Sequence, residues 1–178
     1  MKEPKNNKVK NVYAFIDSQN VNVGVISKKW KLDWGKFRLF LRNKYSVKKA
    51  FLFIGYVESN SKLYADLQEV GFLLIFKNVL AIEKDGKTTY KGNVDAELVL
   101  HSMIQYKNYD KAIIVSGDGD FYCLVEYLET QNKLAKVITP NSRYSSLLKK
   151  YSGYIVDLFT FKEKLGYKKE RHSRGKQG

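Results

Sequence analysis

A chain of 178 residues, with 44% hydrophobic and 14% aromatic residues, is long enough for one domain with a substantial core, which excludes a wholly disordered protein. The formal net charge of +14 predicts a polyanionic partner, and RNA or DNA is favoured over a membrane because no basic amphipathic helix stands out. Without a signal peptide or an apolar run of membrane-spanning length, we expect a soluble, cytoplasmic protein. The single Cys123 is expected to be a small core residue.

The first half of the chain alternates between predicted strands and helices. The predicted strands are apolar runs over residues 11–17, 47–57 and 72–76. The predicted helices cover residues 34–41 and 61–70. Asp33 is a good cap for the first of these helices, and Gly71 closes the second. The first strand ends on Asp17, and residues 18–20 are expected to form a polar loop after it.

Residues 77–91 interrupt this alternation and predict a β-hairpin arm. Asp85-Gly86 is a strong tight-turn signal between two short runs that favour strands. The arm contains Lys77, Lys84, Lys87 and Lys91. A helix over residues 94–106 follows, opened by Gly92 or Asn93, and its apolar residues cover so much of the circumference that we expect it to be well buried.

The second half continues the pattern. Predicted strands cover residues 110–115, 134–140 and 153–158. Predicted helices cover residues 121–128 and 143–151, the latter capped by Ser142. Strands that alternate with helices predict an α/β fold with a parallel sheet covered on both faces. We therefore predict one domain over residues 11–158, between a flexible basic lead over residues 1–10 and a basic tail over residues 159–178.

Two glycines and two acids occupy the point where the strand over residues 110–115 gives way to a helix. In open α/β sheets, ligands bind at this edge of the strands. Gly117 and Gly119 allow a tight backbone path, so Asp118 and Asp120 can point at one spot. Asp120 could instead cap the helix, but capping would leave Asp118 unexplained.

Further acids end one predicted strand and begin one predicted helix. Asp17 could be a turn residue, and Asp95 could be stabilised by its helix dipole. The first and fourth strands can be neighbours, however, which would bring Asp17 beside Asp118. Converging carboxylates repel unless a hard cation joins them, and oxygen ligands suit Mg²⁺ or Mn²⁺. Such ions orient water and offset the charge of a scissile phosphate.

Other chemistries receive no support from motifs. The sequence has no GxxxxGK[ST] of a P-loop NTPase, no GxGxxG after the first strand and no GxSxG of a serine hydrolase. An aspartyl phosphatase usually has a second acid two residues after the first, and here that position holds Gln19.

Three motifs in this order closely resemble the NYN domain, a family of the PIN-like nuclease superfamily. They are Phe15-Ile16-Asp17-x-x-Asn20, Lys91-Gly92-Asn93-Val94-Asp95 and Ser116-Gly117-Asp118-Gly119-Asp120-Phe121. The resemblance implies a PIN-like α/β/α sandwich with a mainly parallel central sheet and a metal-dependent ribonuclease site. It also implies catalytic and metal-ligating roles for Asp17, Asp95, Asp118 and Asp120. Asn20 would position a ligand acid, a water molecule or a substrate phosphate.

Two positions depart from the family pattern. An extra residue separates Lys91 from Asp95, and His101 stands six residues after Asp95, where many members have an acid. Six residues turn a helix by about 600°, so His101 lies roughly 120° away from Asp95 and is expected to be a structural residue.

The sequence thus predicts a metal-dependent endoribonuclease acting on single-stranded RNA, with Mg²⁺ or Mn²⁺ as cofactor. Lys84, Lys87, Lys91 and Arg143 are its candidate RNA contacts. Two alternatives stay open, a non-catalytic RNA-binding or regulatory module and a phosphohydrolase acting on nucleotides. We expect no membrane partner, and a homodimer is a candidate assembly.

Overall fold

The computed structural model describes residues 10–78, 80–84, 87–91 and 93–168, and for most of the segment 80–91 it describes the backbone alone. Residues 1–9 of the flexible lead expected over residues 1–10, the Asp85-Gly86 turn, Gly92 and the tail residues 169–178 lie outside the described residues. Within the described part, no helix combines the length and apolar character needed to cross a membrane.

Six parallel strands form the central sheet. They are β1 (Val12–Asp17), β2 (Val47–Tyr56), β3 (Leu73–Asn78), β6 (Lys111–Val115), β7 (Leu134–Thr139) and β8 (Ile155–Asp157). Their order is β3-β2-β1-β6-β7-β8, so the chain runs outward from β1 to β3 and then crosses to β6 on the other side of β1. The strand order therefore reverses between β1 and β6, and ligands bind at such a switch point in α/β sheets.

The predicted hairpin arm is confirmed as a separate two-stranded antiparallel sheet. It pairs β4 (Leu80–Lys84) with β5 (Lys87–Lys91), and Lys84 is opposite Lys87 in the register. Lys77 belongs to β3 rather than to this sheet.

Helices cover both faces of the central sheet. They are α1 (Ser18–Ile26), α2 (Trp34–Tyr45), α3 (Ser61–Glu69), α4 (Asp95–Ile104), α5 (Tyr122–Thr130) and α6 (Lys162–Leu165). Because side chains alternate along a strand, Ala14 and Ile16 of β1 pack with the side of α1, α2 and α6, whereas Tyr13 and Phe15 pack with the side of α4 and α5. The predicted α/β/α sandwich with a parallel sheet is confirmed.

Local signals placed several helix ends correctly. The Asp33 carboxylate accepts a hydrogen bond from the Lys36 N–H at 3.0 Å and caps α2, as predicted. Gly71, which follows α3, has a φ of +97°, a conformation that a side chain would strain.

The expected polar loop over residues 18–20 is wrong, because these residues form the first turn of α1. Asp17 ends β1 and also caps α1, since its carboxylate accepts a hydrogen bond from the Asn20 N–H. A strand can pass directly into a helix when one residue serves both roles.

The expected helix over residues 143–151 is also wrong. Residues Ser146–Tyr154 form 3₁₀ turns that are interrupted by a kink at Tyr151, and Ser145 rather than Ser142 caps them. The Ser145 N–H donates to the Gly117 carbonyl at 2.9 Å, and the Arg143 N–H donates to the Asn141 side chain at 2.8 Å. These contacts hold residues 143–145 in an irregular path.

Two burial predictions fail for a common reason, namely that a helix on the outside of a sheet buries one side only. On α4, Leu98 is fully buried, but Leu100 and Ile104 are each 58% exposed, so this helix is not buried all round. Cys123 is exposed on α5, whose opposite side buries Val125 and Leu128.

The fold continues beyond residue 158. A 3₁₀ helix over Leu158–Phe161 leads into α6, and the Leu165 side chain is fully buried in the core. The Leu165 carbonyl accepts a hydrogen bond from the Asp33 N–H, and the Tyr167 N–H donates to the Lys31 carbonyl, each at 2.9 Å. The chain as far as residue 167 is therefore hydrogen-bonded to the segment that immediately precedes α2.

Candidate active site

Asp17 lies at the carboxyl end of the central strand β1 and is buried, with 5% of its surface exposed. One carboxylate oxygen accepts the Asn20 N–H at 3.0 Å, and the other lies 3.5 Å from the Ser116 hydroxyl. The pKa of Asp17 is raised to about 6, chiefly by burial and also by the nearby charges of Asp95 and Asp118, while the hydrogen bond from the Asn20 N–H opposes the rise.

The loop after the neighbouring strand β6 brings Asp118 to the same edge of the sheet. Ser116 is buried, and its hydroxyl oxygen accepts the Asp118 N–H at 3.2 Å. The Asp118 carboxylate in turn accepts the Asp120 N–H at 3.1 Å and caps the short 3₁₀ helix Gly119–Phe121. The capping role that we considered for Asp120 therefore belongs to Asp118, and the Asp120 side chain is exposed.

The same loop is held by contacts from two other segments. The Gly117 N–H donates to the Asn20 side-chain oxygen at 2.9 Å, so Asn20 positions the loop that contains Asp118. A side chain at Gly119 would place Cβ 2.4 Å from the Ser145 hydroxyl oxygen. Gly71 is the glycine with positive φ among the described residues, so close packing rather than a left-handed backbone explains the loop glycines.

Asp95 reaches the site from the first turn of α4. Its N–H donates to the Asn93 side chain at 2.9 Å, and its own side chain is half-buried. Burial raises the pKa of Asp95, and the charges of Asp118, Asp120 and Glu97 add to this rise, while a hydrogen bond from Asn93 opposes it.

Three of the four predicted acids form a compact trio. Asp95, Asp118 and Asp120 each offer a carboxylate oxygen, and these three atoms lie within 4.8 Å of one another. Asp17 is not part of this trio but lines the same cleft more deeply, beside Ser116. The trio thus includes Asp120, for which the sequence had also allowed a capping role.

Asp17, Asp95 and Asp118 line a cleft of about 490 Å³ at the switch point of the sheet, which we call the acid cleft. Arg143 lines the same cleft and is exposed, whereas Asn141 is buried and donates to the Gly24 carbonyl at 2.8 Å. The sequence pattern did not single out Asn141, although its position directly after the end of a parallel strand was a usable signal.

Two further residues that the sequence analysis singled out, His101 and Lys77, have structural contacts. The His101 ring lies 5.7 Å from the Phe53 ring and is tilted edge-on to it, which agrees with a structural role. Lys77, which we had placed in the basic arm, forms an ion pair with Glu97 of α4. Lys84, Lys87 and Lys91 lie on the hairpin arm, and their side chains lie outside the described part of the structure.

The parallel α/β/α sandwich is consistent with a PIN-like fold. The family model of the NYN domain matches residues 11–159, and the chain therefore belongs to the NYN domain family. No curated protein matches the chain. A crystal structure of VPA0982, a protein of unknown function from Vibrio parahaemolyticus, is similar with a TM-score of 0.71 and 23% identity. The match covers 94% of this chain and all of that one, and it supports the fold alone.

Proposed function

We propose that this protein is a metal-dependent endoribonuclease that cleaves single-stranded RNA with Mg²⁺ or Mn²⁺. The observation that carries the proposal is the carboxylate trio of Asp95, Asp118 and Asp120, whose ligand atoms lie within 4.8 Å of one another. The trio stands at the sheet edge where α/β folds bind ligands, and the chain belongs to a nuclease-like family.

The donor set of the trio fits a hard divalent cation. Ligand oxygens at roughly 2.0–2.6 Å from an ion can be separated by up to about 5 Å, and the trio lies inside that limit. None of the ion pairs found among the described residues involves Asp17 or the trio, so no side-chain cation neutralises these acids there. A bound ion would offset the charge of a scissile phosphodiester and make water more acidic.

The chain's own residues hold and orient this site. Asn20 and Ser145 fix the backbone of Gly117, which places Asp118 above the end of β6. Asp17 adds a buried carboxylate below the trio. Its pKa is raised because burial and the neighbouring acids disfavour its negative charge, and a bound cation would stabilise that charge.

Cationic side chains around the cleft would hold the RNA backbone. Arg143 is exposed at the cleft, and the arm that contains Lys84, Lys87 and Lys91 leads directly to Asp95. We expect Lys84→Ala combined with Lys87→Ala to weaken RNA binding, and Lys91→Ala to slow cleavage as well. Gel assays under saturating RNA separate the two effects, since a pure binding defect disappears at saturation.

A substrate panel tests the proposal. The wild-type protein is incubated with labelled single-stranded RNA, single-stranded DNA and nucleotides, each with Mg²⁺, with Mn²⁺ and with EDTA. We expect RNA cleavage that EDTA abolishes. RNA binding without cleavage would favour the regulatory module, and hydrolysis of nucleotides without RNA cleavage would favour the phosphohydrolase.

A further inference from the structure

A second groove begins where the acid cleft ends. It has a volume of about 660 Å³ and lies between α1, the end of β2 and α3, and we call it the α1–α3 groove. Gln19, in the first turn of α1, lines both the acid cleft and this groove, so the two cavities meet there. Trp34, Ile54 and Leu63 give the groove apolar walls, and Asn60 is among its polar residues.

A third cavity joins the far end of this groove. It has a volume of about 650 Å³, and Lys31 and Tyr167 line both cavities. We call it the lysine pocket, because its lining includes Lys29, Lys31, Lys162 and Lys168 against the single acid Glu163. None of these lysines takes part in an ion pair with another described residue. Their charge is thus available to a polyanion.

Tyr167 stands at the junction of these two cavities with 63% of its surface exposed. Its backbone is nevertheless fixed, because its N–H donates to the Lys31 carbonyl and the preceding Gly166 forms an antiparallel bridge with Leu32. An exposed aromatic ring on a fixed backbone is a suitable platform for stacking a nucleobase, since every base has a π-face.

Both tryptophans of the chain line this route as well. Trp34 lines the α1–α3 groove and Trp30 lines the lysine pocket. The indole N–H of Trp30 is buried and has no hydrogen-bond partner within the described part of the chain. The route therefore combines aromatic surface with free cations, the two features that single-stranded RNA requires of a binding site.

We propose that single-stranded RNA runs from the acid cleft through the α1–α3 groove into the lysine pocket. Its bases would lie against Trp34 and Tyr167, and its phosphates would contact Lys31 and Lys168. This route deepens the proposed function and rests on it for the identity of the strand that is cleaved. A duplex keeps its bases stacked inside and could not place them in the groove.

Tryptophan fluorescence offers a direct test, because both indoles lie on the route. Dodecauridylate is titrated into the wild-type protein in EDTA, where the RNA stays intact. We expect quenching of the emission, and we expect Tyr167→Ala to weaken binding roughly tenfold. Tyr167→Phe should restore the affinity. The control Tyr127→Ala removes a tyrosine that is 42% exposed on α5, across the sheet, and should stay within about twofold of the wild type.

A matched pair of double variants tests the lysine contacts. Lys31→Ala combined with Lys168→Ala should lower the steepness of the salt dependence, log K against log salt, by about 1.4, as expected for two lost phosphate contacts. Lys107→Ala combined with Lys149→Ala removes the same charge from exposed positions outside the three cavities and should leave the slope unchanged.

The outcomes separate this route from the proposed function. The route would be overturned if Tyr167→Ala, and Lys31→Ala combined with Lys168→Ala, bound dodecauridylate as their control variants do. It would also be overturned if the wild-type protein bound tightly without quenching, did not bind at all, or bound an RNA duplex with equal affinity. A wild-type protein that binds with quenching but cleaves no RNA in Mg²⁺ or Mn²⁺ would overturn the proposed function and leave the route standing.

Discussion

Replacing Asp17 with Asn should stabilise the metal-free protein at neutral pH. The Asp17 carboxylate is buried and lies near two other acids, so its ionised form is held in an unfavourable environment. The amide of Asn is nearly isosteric and keeps an oxygen that can accept the Asn20 N–H, but it does not ionise.

The size of the effect follows from the pKa of Asp17, which rises from 3.8 to about 6 on folding. At 1.36 kcal/mol per unit, ionising this group costs the folded state about 3 kcal/mol more than the unfolded state. Between these two pKa values the folded state binds the proton more tightly, so the wild type loses stability as the pH rises through this window. Below about pH 4 the group is protonated in both states and the penalty vanishes.

Urea unfolding in EDTA at several pH values between about 4 and 8 measures this difference. We expect Asp17→Asn to exceed the wild type by up to about 3 kcal/mol above pH 7 and to match it near pH 4. A variant that is less stable than the wild type at neutral pH, or that shows the same pH dependence, would refute the electrostatic reasoning.

The remaining predictions concern metal, packing and the tail. Mg²⁺ should raise the melting temperature of the wild type more than that of Asp118→Asn, as calorimetry can show, because metal binding stabilises the folded state alone. Gly119→Ala should cost roughly 1–3 kcal/mol in urea unfolding, because its Cβ would lie 2.4 Å from the Ser145 hydroxyl oxygen, whereas Gly153→Ala meets nothing within 4 Å and is the matched control. Deleting residues 169–178 should flatten the salt dependence of RNA binding and leave cleavage at saturating RNA unchanged.

The last of these predictions differs from the truncation that the sequence suggests. A cut before residue 159, where the sequence analysis places the start of the basic tail, would remove Leu165, which is fully buried. Losing a buried leucine costs about 2–5 kcal/mol, so that deletion would test folding rather than RNA binding. Composition shows where charge accumulates, but it does not show which isolated apolar residue reaches the core.

Much of the architecture could be predicted because it depends on local patterns and general topology. Buried strands are short apolar runs, and parallel strands present their carboxyl ends at one edge, so Asp17 and Asp118 could be expected side by side. The loop over residues 116–121 was recognisable for the same reason. These inferences need no knowledge of particular side-chain contacts.

The finer arrangement depends on contacts between distant parts of the chain. Asn20 accepts a hydrogen bond from Gly117, which is 97 residues away, and Ser145 binds the carbonyl of the same glycine. Those bonds decide that Asp118 caps the turn and that Asp120 joins the trio. No periodic pattern in the sequence indicates these hydrogen bonds. The irregular path of residues 143–145 likewise depends on contacts between distant parts of the chain.

The most direct test of the central claim is the single-turnover cleavage rate of single-stranded RNA as a function of Mn²⁺ concentration. Wild type is compared with Asp118→Asn and with Asp110→Asn, which alters an acid just before β6, at the opposite edge of the sheet. We predict saturable, Mn²⁺-dependent cleavage by the wild type and by Asp110→Asn, and at least a hundredfold loss in Asp118→Asn, on the order of what one strong transition-state contact contributes. Cleavage by Asp118→Asn at the wild-type rate, or cleavage that persists in EDTA, would contradict the account.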